Sequence, residues 1–394
     1  MWKQWRNYLW DSAIARVVLE VRIPKEILKP IKAMEYVFSG FFGVLHDPPS
    51  SFHQTWIEGQ IMLRMALEIV SLDGQIHFFL RVPEPLKEQI EAVVHSQYPE
   101  AEVFEVEDYT KNVPQNIPNE EWDLFGAALT VVQDESYPIR TYPKFETEVQ
   151  PKEEKRIDPI STLLEGLSRL GSGEQAWLQI VIKPVLHDDN PWRDKTQKIV
   201  NKLAKRPEPK YKSIIDYTLE FLNPTVTEKK EAHRESMPEM QLTPGEKEIV
   251  RSIEEKMAKE TFETFITFIY LGKRDVFDKP KGVRCVTSFI HEFATANLNA
   301  LKFLKKTVTK LFILPNQLLR RIYVKKRHLF RQYTKRLAYF FPRVQCEKKN
   351  AIFILNTEEL ASLYHFPGRM VTSAPAVSRV EVKKGEAPSE LPIE

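Results

Sequence analysis

Residues 65–83 read MALEIVSLDGQIHFFLRVP, two apolar runs joined at Asp73-Gly74. Asp-Gly between apolar runs is a strong signal for a two-residue β-hairpin, because both turn residues there need positive φ. Upstream lie the β-branched run at 15–24 and a helically periodic run at 25–45. Downstream lie an amphipathic run at 84–99 and the apolar run AEVFEVEDY. The order is β-α-β-β-α-β, so the sequence predicts a ferredoxin-like, split βαβ domain over residues 15–110.

A second pass of the same kind follows the proline-bearing linker at 111–121. We predict strands in WDLFGAALTVV, EQAWLQIVIKPV and FETFITFIYLG. Between and after them we predict helices in DPISTLLEGLSRLGSG, TPGEKEIVRSIEEKMAK and VRCVTSFIHEFATANLNALKF. Residues 122–304 therefore form a second α+β domain, with a charged, proline-marked insertion at 201–239 that we expect to be mobile. The predicted class is α+β, with two ferredoxin-like sandwiches in tandem.

Charge is distributed unevenly along the 394 residues. The formal net charge is +3, yet residues 302–349 hold fifteen Lys and Arg against the single acid Glu347. That stretch carries +14, which leaves −11 for the rest of the chain. Cys285 and Cys346 lie far apart and in no C-x-x-C spacing, so a disulfide framework or thiolate zinc site is not expected and a reducing compartment fits. No apolar run near the start approaches the ~20 residues that span a bilayer, and no signal peptide is visible, so a cytoplasmic location is predicted.

The basic stretch predicts an amphipathic helical segment over residues 305–345. Apolar residues recur near helical spacing between clusters of cations. The candidate polyanion-binding residues are Arg320, Arg321, Lys325, Lys326, Arg327, Arg331, Lys335 and Arg336. Nucleic acid, an anionic membrane surface and an acidic partner are all suitable targets. Packing of this segment on the chain's own acidic domains follows equally well from the charges.

The N-terminal residues 1–14 predict a short aromatic and basic helix. Trp2 and Trp5 share one helical face, with Lys3 and Arg6 beside it. Indole rings and cations in this arrangement suit a membrane interface, where rings are half wetted and basic groups meet phosphate. The alternative is a terminal helix docked on the first domain.

No catalytic motif is found in the sequence. There is no G-x-x-x-x-G-K-[ST], H-E-x-x-H or G-x-S-x-G. The nearest cluster of polar residues is His46, Asp47, His53 and Glu58, in a segment stiffened by two adjacent prolines. A metal-dependent hydrolase built on it is the less favoured alternative, because a surface loop explains the segment better. We therefore predict no enzyme activity, cofactor, metal or small-molecule substrate.

Near the C-terminus, residues 351–368 read AIFILNTEELASLYHFPG, within a strand–helix element predicted over 346–368 and followed by an extended tail at 369–394. Asn356 or Thr357 would cap the helix, and acids follow at the positive end of its dipole. Pro367-Gly368 would end the element. The helix would present one apolar face for docking on a partner, formed by Leu360, Leu363, Tyr364 and Phe366.

The segment LNTEELASLYHFP resembles the stretch just before the motor domain in type IV secretion-type conjugative coupling ATPases. The segments EVRIPKEILKPIKAMEYVFSG, LEIVSLDGQIHFFLRVP, YPEAEVFEVEDY and DPISTLLEGLSRLGSGEQAWLQIVIKP extend the likeness over most of residues 15–392. Together they resemble an uncharacterised domain that precedes or accompanies such ATPases. The motifs are specific in combination, and none of them is catalytic.

The resemblance implies a non-enzymatic scaffold or adaptor beside a DNA-translocating P-loop ATPase at the cytoplasmic face of the membrane. The four apolar residues of the C-terminal element would dock on the motor, and the cations would contact DNA, lipid or an acidic surface. Such relatives often carry a membrane-spanning segment ahead of the first strand; this sequence has none, and we expect residues 1–14 to be its remnant. A stand-alone nucleic-acid-binding protein is the alternative.

Overall fold

The computed structural model describes residues 2–24, 29–147, 158–186, 190–206, 242–309, 318–336 and 351–367. In the first half the helices are α1 (Trp2–Ala13), α2 (Ile31–Leu45) and α3 (Lys87–Gln97). The strands of this half are β1 (Arg16–Arg22), β2 (Met65–Leu72), β3 (Gln75–Pro83) and β4 (Glu102–Val106). A π-helical turn at His53–Glu58 and 3₁₀ turns at Glu84–Leu86 and Tyr109–Asn112 complete it.

The second half contains the remaining elements in the described ranges. Its strands are β5 (Trp122–Val131), β6 (Glu174–Pro184), β7 (Thr261–Lys273), β8 (Leu301–Phe303) and β9 (Phe353–Asn356). Its helices are α4 (Tyr142–Thr147), α5 (Ser161–Ser168), α6 (Trp192–Leu203), α7 (Pro244–Ala258), α8 (Lys279–Glu292), α9 (Leu318–Lys335) and α10 (Thr357–Leu363). The predicted 207–239 part of the insertion, the end of the basic segment beyond residue 336 and the tail at 369–394 lie outside the described residues.

The strands form one antiparallel sheet in the order β4-β1-β3-β2-β6-β7-β5-β8, with β9 on the end of β7 that β5 leaves unpaired. The halves meet where β2 pairs with β6, from Met65↔Ile182 to Leu72↔Gln175. Outward from this joint, the first half continues β2-β3-β1-β4 and the second half continues β6-β7-β5-β8. The two halves therefore have the same strand order. The α+β class is confirmed. Two tandem ferredoxin-like sandwiches stay a prediction, and the two halves share one sheet.

The β2–β3 hairpin confirms the Asp-Gly signal. Asp73 has φ 51° and Gly74 has φ 86°, so both turn residues are left-handed. A Cβ on Gly74 would lie 2.5 Å from the Leu170 carbonyl oxygen, so the turn is also too close to its neighbour for a larger residue. The Asp73 carboxylate accepts a hydrogen bond from the Gly173 N–H at 2.7 Å, which ties the hairpin to the turn before β6.

Alternation along the strands gives the sheet two apolar faces. The larger core lies under α2, α3, α5, α8 and α10, with residues such as Leu67, Ile180 and Phe268 pointing into it. The opposite face holds a smaller cluster around Trp177 and Tyr109, covered by α9. The basic helix is therefore a structural cover of the second face, in addition to anything it binds.

One predicted helix boundary is wrong. The helix predicted through residue 303 ends at Glu292, and its last residues form β8, since Leu301 pairs with Val131 of β5. Asn299 makes this turn, because its side chain bonds the backbone of Val132 and Gln133. The sequence NLNALKF is assigned to a helix by its pattern because β8, with three residues, is too short to show the alternation of apolar and polar residues that is typical of a strand.

Candidate functional site

Helix α9 packs on the sheet through one apolar stripe. Leu329, Phe330 and Tyr333 are buried, and the Trp177 ring lies 6.3 Å from Phe330 and 5.4 Å from Tyr333, centroid to centroid. The approach is close, because a Cβ on Gly126 of β5 would lie 2.7 Å from Leu329 Cδ2. The apolar residues recur at helical spacing in the basic segment because they pack against the chain's own sheet.

Arg336 ends α9 and points back beneath it. The residue has φ 47°, a left-handed conformation common just after a helix, and its N–H donates to the Tyr333 carbonyl at 2.9 Å. Its buried guanidinium donates from Nε to Glu68 Oε1 at 2.9 Å and from Nη1 to Asp108 Oδ2 at 2.5 Å. One arginine thus joins the helix end to β2 and to the segment after β4.

The charges of this cluster are mutually dependent. Burial works to lower the pKa of Arg336, but the Glu68 carboxylate outweighs burial and raises it above the ordinary value. Burial works to raise the pKa of Asp108, but hydrogen bonds and charge from Arg336 hold it below the usual range. Burial and the charge of Arg336 lower the pKa of nearby Arg81 to about 10. Arg336 is fully engaged, so its prediction as a polyanion-binding residue is wrong.

The other seven predicted cations of α9 divide by exposure. Lys325, Lys326 and Arg327 are half-buried, and Lys326 Nζ donates to Asp123 Oδ1 at 2.5 Å. Four side chains are exposed to solvent and are called here the cationic ridge: Arg320, Arg321, Arg331 and Lys335.

The ridge lies on the side of α9 away from the sheet. Arg320, Arg331 and Lys335 are eleven and four residues apart, which places them on one side at 3.6 residues per turn. Leu329 and Tyr333 fall on the opposite side, in the core. The ridge spans about 22 Å at 1.5 Å per residue. Residues 318–336 contain no acid, so the ridge is a uniformly positive row on a fixed helix.

A cleft of about 1130 Å³ opens between the first half of α9 and the segment before β5. Lys326 and Arg327 line one side together with Arg274, but Glu120 and Glu121 also line it. Because the acids would repel phosphates that enter it, this cleft is a poor polyanion site. The positive surface that remains suitable is the ridge outside the cleft.

The predicted docking face of the C-terminal element is buried within the chain. Leu360, Leu363 and Tyr364 are fully buried, and Phe366 is nearly so. The Phe366 ring packs edge-on against Tyr98 at 5.2 Å. These four side chains complete the chain's own core, so the prediction that they form an exposed docking surface is wrong.

Polar contacts hold the same element in place. Asn356 Oδ1 accepts from the Glu359 N–H at 2.8 Å and Glu359 Oε2 from the Asn356 N–H at 2.9 Å, which is a capping box. Of the two predicted candidates, Asn356 and Thr357, Asn356 is therefore the residue that caps the helix. Burial raises the pKa of Glu359, and the Lys256 ammonium, 3.0 Å from its Oε2, opposes that rise. The Ile139 N–H also donates to Glu359, at 2.9 Å.

Helix α1 is both docked and exposed. Trp2 Nε1 donates to the Trp56 carbonyl at 3.2 Å, and Arg6 Nε donates to the Ile57 carbonyl at 2.5 Å. Lys3 Nζ lies 5.3 Å from the Trp56 ring centroid. The indoles of Trp2 and Trp5 nevertheless remain more than half exposed. The two readings of this helix therefore do not exclude each other, and its contact to a membrane stays a prediction.

Sequence reasoning missed the other half of this exposed surface. Phe52, Trp56 and Ile57 are exposed apolar residues in and just before the π-helical turn that α1 packs on. The three large apolar residues are visible in the segment SSFHQTWIEG. This segment has no helical or strand periodicity, so the sequence does not indicate whether their side chains are buried or exposed.

The histidine cluster does not assemble. His53 Nδ1 lies 3.1 Å from Glu58 Oε1 at an exposed position, while the His46 ring stacks on Phe42 at 5.0 Å. In the described ranges, no group of three or more His, Cys, Asp and Glu side chains is arranged to hold a metal ion. No helix in the described part of the chain is long and apolar enough to cross a membrane.

The chain matches no curated protein. The model of a family described as Domain of unknown function (DUF8128) matches residues 45–378, which is more than four fifths of the chain. The match includes the β2–β3 hairpin, the basic helix and the buried C-terminal element. The chain therefore belongs to the DUF8128 family.

Proposed function

We propose that this chain is a non-enzymatic adaptor that presents the cationic ridge of α9 to DNA beside a DNA-translocating P-loop ATPase. The ridge carries the proposal: four exposed cations on one side of a helix whose other side is packed in the core. A fixed helix loses little conformational entropy when it binds, so its charges act together. The partner is inferred from the sequence resemblance to the domain that accompanies conjugative coupling ATPases.

DNA is the favoured polyanion for a geometric reason. A DNA duplex carries one negative charge per ~1.7 Å of its axis, so a positive row of about 22 Å lies against a densely charged surface with several phosphates within reach. Arg and Lys side chains of a helix can contact such phosphates without reading the base sequence. We therefore expect binding without sequence preference and with a steep dependence on salt.

The test is binding of a labelled DNA duplex, measured by fluorescence anisotropy over a range of salt concentrations. The test variant is Arg320→Glu/Arg321→Glu/Arg331→Glu. The matched control reverses three exposed lysines of α6 and changes the net charge equally: Lys195→Glu/Lys198→Glu/Lys202→Glu. We expect at least a tenfold weaker Kd for the ridge variant, and a salt slope flatter by about two to three because up to three phosphate contacts are lost.

Equal losses in both variants would show that only net charge matters and would overturn the ridge as a site. An unchanged Kd in the ridge variant would do the same. The adaptor role is tested separately, by adding the chain to a purified conjugative coupling ATPase and measuring DNA-stimulated ATP hydrolysis. A rise that the ridge variant fails to produce supports the adaptor; DNA binding with no effect on the ATPase favours a stand-alone nucleic-acid-binding protein.

A further inference from the structure

Among the described residues, one exposed aromatic surface is assembled from two separate segments. Trp2 and Trp5 of α1 are 57% and 52% exposed, and Phe52, just before the π-helical turn, is 72% exposed. Within α1 the Trp2 and Trp5 rings lie 5.3 Å apart, and in the second segment Phe52 stacks on Trp56 at 6.0 Å. The hydrogen bond from Trp2 Nε1 to the Trp56 carbonyl joins the two segments. We call this surface the aromatic platform; its apolar members are Trp2, Trp5, Tyr8, Leu9, Phe52, Trp56 and Ile57.

The platform is fixed to the body of the protein. Asp11 is buried near the end of α1, and Arg64 donates to its Oδ1 and Oδ2 at 3.0 and 2.8 Å. Arg16 Nη2 donates to the same carboxylate at 2.5 Å. A Cβ on Gly59 would lie 2.4 Å from the Arg6 carbonyl carbon, so α1 sits directly on the turn after the π-helix. Exposed aromatic rings on an element held this firmly belong to a surface that binds something.

The charges of the platform are positive. Lys3 and Arg6 lie on α1 next to the rings, with Arg6 5.9 Å from the Trp2 ring centroid. The acids nearby are engaged: Asp11 with its two arginines, and Glu58 with His53 at 3.1 Å and with the Gln60 amide at 2.7 Å. Tryptophan rings beside cations fit the headgroup region of an anionic bilayer, where indole lies half in water and cations meet phosphate.

We infer that the aromatic platform is a membrane-contact surface that inserts its rings into the interface of a bilayer containing anionic lipid. The inference goes beyond the proposed function: it depends on neither the ridge nor the ATPase, and it extends the membrane-interface prediction made for residues 1–14. It adds Phe52, Trp56 and Ile57 to the predicted α1 residues, and it requires no membrane-spanning helix. The occupant is a lipid surface, since the rim is cationic and the rings are the types enriched at membrane interfaces.

The test is co-sedimentation of the full chain with vesicles, in the absence of DNA. One set is phosphatidylcholine alone, and the other contains about one third phosphatidylglycerol. We expect binding to the anionic vesicles, weakened about tenfold or more in Trp5→Ser/Phe52→Ser because two partly inserted rings are removed. Lys3→Gln should weaken binding to anionic vesicles about fivefold and leave binding to neutral vesicles unchanged.

Brominated lipid should quench tryptophan fluorescence in the wild type more than in Trp5→Ser/Phe52→Ser.

The matched control, Tyr36→Ser/Leu319→Ser, removes two exposed apolar side chains elsewhere and should bind vesicles as the wild type does. Phe52→Ser alone, in a loop, serves if the double variant loses its fold by circular dichroism. No vesicle binding by the wild type, or an equal loss in the control, overturns the inference. Dimerisation that depends on Trp5 and Phe52, seen by sedimentation velocity without vesicle binding, would assign the platform to a second copy instead. Because the ridge is tested with DNA and no lipid, failure of one proposal leaves the other measurable.

Discussion

Helix α9 and the strand–helix element β9–α10 are both predicted from sequence to contact partners, yet the structure treats them differently. The β9–α10 element is buried on all sides, with Leu360 and Leu363 in the main core and Glu359 paired with Lys256. Helix α9 is buried along one stripe only and keeps its ridge in water. An apolar helix face indicates that another part of the protein or a partner covers that face. Charged residues on the opposite face indicate that this side of the helix stays exposed to solvent.

The largest effect that separates these regions is expected at the end of α9. Arg336→Met leaves the fully buried Glu68 without its counter-charge, which should lower the free energy of unfolding by about 3–5 kcal/mol. Urea denaturation measures it, with Arg331→Met on the exposed ridge as the control, expected within about 0.5 kcal/mol. Equal effects of the two substitutions would mean that the buried cluster does not anchor the helix.

A comparable but smaller loss is expected in the β9–α10 element. Leu363→Ala opens a cavity in the core and should cost about 2–5 kcal/mol, whereas Leu319→Ala, at a highly exposed position of α9, should be near neutral. Thermal or chemical denaturation distinguishes them. A Leu363→Ala protein as stable as the wild type would show that this element does not complete the core.

The pH dependence of stability sharpens the view of α9 as an anchored helix. The pKa of Asp108 is below its usual range because Arg336 outweighs the effect of burial, so the folded state favours the carboxylate. Its stabilisation is present above the ordinary Asp pKa of about 3.9 and is lost as the pH falls through the lower, folded-state pKa. Asp108→Asn should lower stability at neutral pH and flatten the acid decline.

Urea midpoints measured between neutral pH and about pH 2 report this dependence. Glu107→Gln, at an exposed neighbouring position, is the control and should keep the wild-type profile. An Asp108→Asn protein with the same acid decline as the wild type would show that Asp108 does not contribute through Arg336.

The smallest change in stability is expected on the ridge itself. Charge reversal at Arg320, Arg321 and Arg331 should alter the free energy of unfolding by no more than about 0.5 kcal/mol per site, since these side chains are exposed. The circular dichroism melting curve of the triple variant checks this. Strong destabilisation would place these cations in the fold and remove the ridge as a free surface.

Particular elements show how far sequence reasoning extends. The Asp73-Gly74 hairpin and the cap at Asn356 follow from local rules and are confirmed, because turn and cap chemistry depends on a few neighbouring residues. The ridge cations follow from helical spacing. The platform does not, because Trp5 and Phe52 are far apart in sequence and nothing local indicates that the two segments meet.

By itself, the sequence determined the α+β class, most of the strands and helices, and the presence of a basic amphipathic helix. These follow from periodicity, which is a property of neighbouring residues. Only the tertiary structure decided that two halves share one sheet, that Arg336 lies beneath α9, that the C-terminal element completes the core and that two aromatic segments make one surface. Each depends on contacts between distant residues, and an apolar stripe or a charge carries no information about which surface will cover it.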